Sequence, residues 1–148
     1  MNVDEEGVAK YLNKWQSILR LRDWDIIIKI VKTSWRKSGD IKIDLDDQKA
    51  VLLVNHIPKC ENLEELIIHE LLHLKLYGLD QMIEELLSVV YGEEKKDPKK
   101  EFANTQFMKL LESTVEDLTK GYLTAIQSQE PLSFGRLQKQ IDKEVGIK

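Results

Sequence analysis

Two histidines four residues apart, with a glutamate directly after the first, make the run His69-Glu70-Leu71-Leu72-His73. On an α-helix a separation of four puts both imidazoles on one face about one turn apart, within reach of a single ion. Zinc accepts two such nitrogens, and a third protein ligand with a water completes a catalytic tetrahedron. Glu70 falls about 60° round the helix from His73, so it can reach that water without ligating the metal. The chemistry this spacing points to is metal-assisted hydrolysis at one zinc per chain, with Glu70 as the general base.

Chance is a poor source of such a motif. With 3 histidines in 148 residues, it arises by accident on the order of once in a hundred sequences or fewer. Its neighbours sharpen the point. Leu63, Leu66, Ile67, Ile68, Leu71, Leu72, Leu74 and Leu76 cover nearly every direction of the helical wheel, which predicts a central, mostly buried helix. An unpaired polar group there costs on the order of a few kcal/mol, so a metal and a water-filled cleft are the natural partners for three ionisable side chains.

The longer pattern with a further glycine and histidine after the motif is absent, since Leu76 and Leu79 stand in those places, so a third ligand from the same segment is not expected. The alternative is a carboxylate from a later helix. On the wheel of the long C-terminal helix, Glu112 flanks the apolar stripe beside Val115 and Met108, and Glu116 points toward Lys109 and Lys120. Glu112 is preferred over Glu116, with Glu84 and Glu85 behind them. Other residues have roles that packing explains as well. His56 is a loop residue beside Pro58, able to orient substrate or fill a turn. Cys60 is a possible fourth ligand or a small packing residue. Tyr77 and Tyr122 could donate to an oxyanion, yet both suit an apolar stripe, and Trp15, Trp24 and Trp35 are most simply packing residues.

The elements that must position this chemistry follow from periodicity. Tyr11, Leu12, Trp15, Ile18 and Leu19 predict an amphipathic helix over about 4–20. Three strands are expected at 24–31, 41–45 and 50–54, joined by Ser38-Gly39-Asp40 and Asp46-Asp47-Gln48. Short connections predict antiparallel neighbours, hence a small twisted, mainly antiparallel sheet. The central helix is expected over about 63–77, capped by Gly78, with a second helix over 80–91. Lys95-Lys96-Asp97-Pro98-Lys99-Lys100 is a solvated break before a long helix over about 101–127, and residues 128–148 form a short helix or tail.

The fold class is therefore α+β, a single domain over 1–148 with its core at about 4–127. An apolar share of 42% and a charged share of 32% suit a globular chain. A formal charge of −4 with interspersed signs lacks the basic field that nucleic acid requires. No run has the length of a membrane span, no secretory signal is recognisable, and one cysteine forms no internal disulfide. A cytoplasmic protein is the expectation.

The run Asn55-His56-Ile57-Pro58, followed by Leu63-Glu64-Glu65-Leu66-Ile67-Ile68-His69-Glu70-Leu71-Leu72-His73-Leu74, resembles small single-domain metallopeptidases of bacterial and phage type related to the minigluzincins. A looser similarity extends over about 15–123 and includes Trp24-Asp25-Ile26. The resemblance implies a zincin-like fold and a peptide or protein substrate. It also implies a third zinc ligand on a glutamate helix after the motif, which Glu112-Ser113-Thr114-Val115 resembles, though Glu116 stands where an asparagine often follows. A twisted sheet whose edge strand borders the cleft and holds an extended peptide by main-chain hydrogen bonds is implied as well. The alternative is a catalytically silent or latent zincin-like binding or regulatory module, with latency imposed by the C-terminal segment blocking the cleft.

Overall fold

The computed structural model describes residues 2–94, 96–126 and 135–146, with the side chains of 135 and 136 left aside. Among them lie four helices and three strands: α1 (Glu5–Ile18), β1 (Asp25–Val31), β2 (Gly39–Asp44), β3 (Lys49–Asn55), α2 (Leu63–Tyr91), α3 (Pro98–Ala125) and α4 (Gly135–Val145). Lys95 and residues 127–134 and 147–148, part of the expected break and tail, fall outside the described residues. None of the described helices is long and apolar enough to cross a membrane.

Each of the first three helices begins where a side chain satisfies its free N–H groups. Asp4 accepts from the Gly7 N–H, Asn62 from Glu65, and Asp97 from Lys99 and Lys100, with Pro98 pre-set for the first helical position. Val8, Leu12 and Trp15 form the buried stripe of α1. The Trp15 Nε1–H donates 2.7 Å to the Glu64 carboxylate in the first turn of α2, where the Lys14 ammonium also donates at 2.8 Å. This pair of bonds ties α1 to the start of α2. The core then runs through Leu52 and Val54 of β3 to Ile67, Ile68 and Leu71 of α2 and to Val115 and Leu123 of α3.

The sheet corrects the mainly antiparallel expectation. Its order is β1-β3-β2, with β1 parallel to β3 and only β2 and β3 antiparallel. Gly39 and Asp40, expected in a connection, belong to β2. The chain does not fold straight back after β1, because residues 32–38 pass over the end of β3 and are clamped there. The buried Asn55 side chain donates to the carbonyls of Trp35 (3.0 Å) and Lys37 (2.9 Å), while its backbone N–H donates to Ser38. Only the β2 to β3 connection is a tight reversal, with Gln48 at φ 51. The result is a mixed sheet in which β2 is an edge.

The second correction concerns Gly78, which does not end a helix. α2 runs without interruption for 29 residues and stops at Gly92, whose φ of 86 few other residues adopt. A mid-helix glycine costs only about 1 kcal/mol relative to alanine, too little to break a helix whose first half is held in the core. The buried residues of α2 all lie between Glu64 and Leu74, so its C-terminal half leaves the core alongside the start of α3.

Candidate metal centre

His69 and His73 sit on the buried half of α2, on the side that faces α3. Glu112 approaches them from α3. The Nε2 atoms of the two histidines are 3.2 Å apart, and the Glu112 carboxylate oxygens lie 3.0 Å from His69 Nε2 and 3.1 Å from His73 Nε2. These residues therefore offer three ligand atoms close enough to hold one metal ion. The alternatives stand elsewhere. Glu116, one turn along α3, is exposed and lines the same cleft without joining the cluster, and Glu84 and Glu85 are exposed on the outer half of α2.

The donor set fits a transition metal. Bonds of 2.0–2.1 Å to a tetrahedral zinc put its ligands about 3.4 Å apart, close to the three separations found. Two imidazole nitrogens facing each other can share at most one proton, whereas a cation takes a lone pair from each. Two nitrogens and one oxygen also differ from the all-oxygen sets of calcium and magnesium. In the metal-free chain, hydrogen bonds from His69 and His73 hold the Glu112 carboxyl well below the usual range. Burial works to lower His69, but its bond to Glu112 outweighs this and raises it.

Glu70 lies beside the cluster and is 8% exposed. Burial raises its carboxyl above the usual range, with the two histidines acting in the opposite direction. That is the direction a general base needs if it is to hold a proton near neutrality.

Two connected recesses flank the cluster. One, of about 870 Å³, is lined by Lys37, Lys59, Cys60, Glu116 and Lys120; the other, of about 400 Å³, by Asp40, Ile41, Ile43, Tyr77 and Asp80. His69, Glu70, Glu112, Lys37 and Gly39 line both. A separate apolar hollow of about 480 Å³ lies against Ile27, Lys42 and Val51 and holds none of His69, Glu70, His73 and Glu112.

The open edge of β2 borders the cleft. The Asn55 N–H bonds the Ser38 carbonyl, and the register Gly39↔Val54 then turns the main-chain groups of Gly39, Ile41 and Ile43 away from β3. Gly39 suits the close approach where the strand crosses α2: a Cβ there would stand 3.0 Å from Leu66 Cδ1 and 3.3 Å from the Leu53 carbonyl oxygen, so these neighbours would have to give way by a few tenths of an ångström.

The remaining sequence candidates have structural partners. His56 Nδ1 pairs with the Val31 carbonyl at 3.0 Å, the Cys60 thiol donates to the Asn62 carbonyl, and Tyr122 packs edge-on against Trp15 at 5.7 Å. Tyr77 lines the smaller recess. Sequence reasoning missed Lys37, Asp40 and Asp80. Asp40 and Lys42 look like the solvated side of an alternating strand, and only Gly39, a glycine before such a strand, hints at a close approach. No protein-family model, curated protein or solved structure matches the chain, so the site stands on its own geometry.

Proposed function

We propose that the chain is a zinc-dependent peptidase of the zincin type. The observation that carries the reading is the convergence of His69, His73 and Glu112 on one point, with buried Glu70 beside it and an open strand edge along the cleft. When bound there, zinc supplies a Lewis acid that acidifies water and polarises a carbonyl. His69 and His73 would hold it through Nε2 as neutral imidazoles, with the Glu112 carboxylate as the third ligand. Gly39 and Ile43 offer main-chain groups to an extended peptide as an added strand would. The Glu70 carboxylate takes the proton of the attacking water and passes it to the departing amine.

Glu70→Gln separates this reading from simple metal binding. The variant should keep one zinc per chain and lose peptide hydrolysis by at least a hundredfold, whereas His73→Ala should lose the metal. Undiminished cleavage of an unfolded protein by Glu70→Gln would end the proposal. A latent form of the same site is the second reading, favoured by Leu137 of α4, which lines the larger recess together with His69, Glu70 and Glu112. Removal of residues 128–148 should then raise activity while leaving zinc binding unchanged.

A further inference from the structure

The outer half of α2 carries a row of apolar side chains that the core does not use. Leu79, Met82, Leu86 and Val89 are exposed by 63%, 61%, 47% and 83%. Their spacing of three, four and three residues is a heptad seam, the pattern that packs one helix along another. At 100° per residue the row lies roughly 140° round the helix from His69 and His73, so it faces away from the cleft. Gly78 lies at its margin, where an added Cβ would meet nothing within 4 Å.

The row is self-complementary. Two copies of α2 laid antiparallel about a two-fold axis level with Glu84 bring Leu79 opposite Val89 of the second copy and Met82 opposite Leu86. A two-fold interface demands such reciprocity, with each contact made twice. Glu85, the acidic residue nearest the row, falls opposite Ile83 rather than another acid. With Val90, also 60% exposed, these side chains leave on the order of 600 Å² of apolar surface, at the upper end of what a monomer shows. A polar rim brings that to the ~800 Å² per partner of a standard interface.

We propose that the chain forms a homodimer through this antiparallel pairing of the outer halves of α2. An anionic lipid surface is disfavoured, because Leu79–Tyr91 contains Asp80, Glu84 and Glu85 and neither lysine nor arginine. The dimer leaves both clefts open on the outside, and it does not rest on the assignment of the metal site.

Sedimentation of the full chain between about 1 and 100 µM tests it. The weight-average mass should rise toward twice that of the chain, and Leu86→Glu should weaken association at least tenfold with unchanged circular dichroism and melting temperature. Register is read with a short bis-maleimide in a Cys60→Ser background. A mixture of Met82→Cys and Leu86→Cys chains should cross-link at least tenfold faster than either alone. A chain still monomeric at 100 µM, an association indifferent to Leu86→Glu, or faster Met82→Cys self-cross-linking would overturn the proposal. So would partition of the monomer onto vesicles.

Discussion

The Asp40 carboxylate accepts the N–H of the next residue, Ile41, at 2.9 Å. That N–H points to the open side of β2, where an incoming peptide would seek it, so the strand caps its own edge beside the candidate metal centre. Lys37 at 2.9 Å and Lys42 at 3.0 Å hold the other carboxylate oxygen and keep the cap in place. Edge strands commonly carry such devices, because unpaired main-chain groups invite unwanted pairing. On the proposed function, Asp40→Ala frees one donor and should lower KM for a peptide substrate several-fold while changing kcat little. An unchanged KM would mean that substrate does not use Ile41.

The same carboxylate makes stability depend on pH in a definite direction. Burial acts to raise the Asp40 carboxyl, but hydrogen bonds from Lys37, Lys42 and the Ile41 N–H outweigh it and hold the group below its usual range. A carboxyl with a lower pKa in the folded than in the unfolded state stabilises the fold above the unfolded value, near 3.9, and loses that contribution as pH falls through the folded one. Asp40→Asn should therefore be less stable than the parent by a constant margin between about pH 7 and pH 5, and the margin should shrink below about pH 4. Urea titrations across that range measure it, and a margin that widened toward acid would contradict the ion pairs.

Ligand assignment at the metal centre is open to direct measurement. Zinc present at about a thousand times its Kd adds about 4 kcal/mol to the folded state, which for a chain of this size raises Tm by roughly 10 °C. His69→Ala and His73→Ala should abolish that rise, and Glu112→Gln should weaken zinc at least tenfold. Glu116→Gln, which alters an exposed carboxylate outside the cluster, should leave it intact. A loss from Glu116→Gln equal to that from Glu112→Gln would move the third ligand one turn along α3.

The legible parts of the site were the local ones. His69, Glu70 and His73 share one helix, so their mutual positions follow from helical geometry alone. Glu112 comes 39 residues after His73, and a wheel ranks it against Glu116 on its own helix without saying which of them α2 meets. Apolar periodicity placed α1, α3 and three strands. It could not order the strands, because the path of residues 32–38 depends on what Asn55 can bond at the far end of β3. Gly78 has the residue type of a cap but not the context, since Ile83 and Leu87 continue the apolar pattern beyond it.

Asn55 is where that hidden part of the fold can be tested. Its side-chain amide donates to Trp35 and Lys37, and its side-chain oxygen accepts the Ile57 N–H at 3.0 Å. The residue is 6% exposed, so each lost bond leaves a shielded backbone group that costs on the order of 1–3 kcal/mol. Asn55→Ala should destabilise the fold by about 2–4 kcal/mol in chemical denaturation. Asn55→Asp keeps the shape and the acceptor but removes both donors, and it sets a carboxylate against two carbonyl oxygens. Near neutral pH it should cost at least as much as alanine. If aspartate were instead tolerated, the bond to Ile57 would be the one that matters, and the clamp on the crossover would not be what sets β1 beside β3. Because Lys37 sits in the clamped segment and lines both recesses, either variant should also weaken binding in the cleft, although neither touches His69, His73 or Glu112.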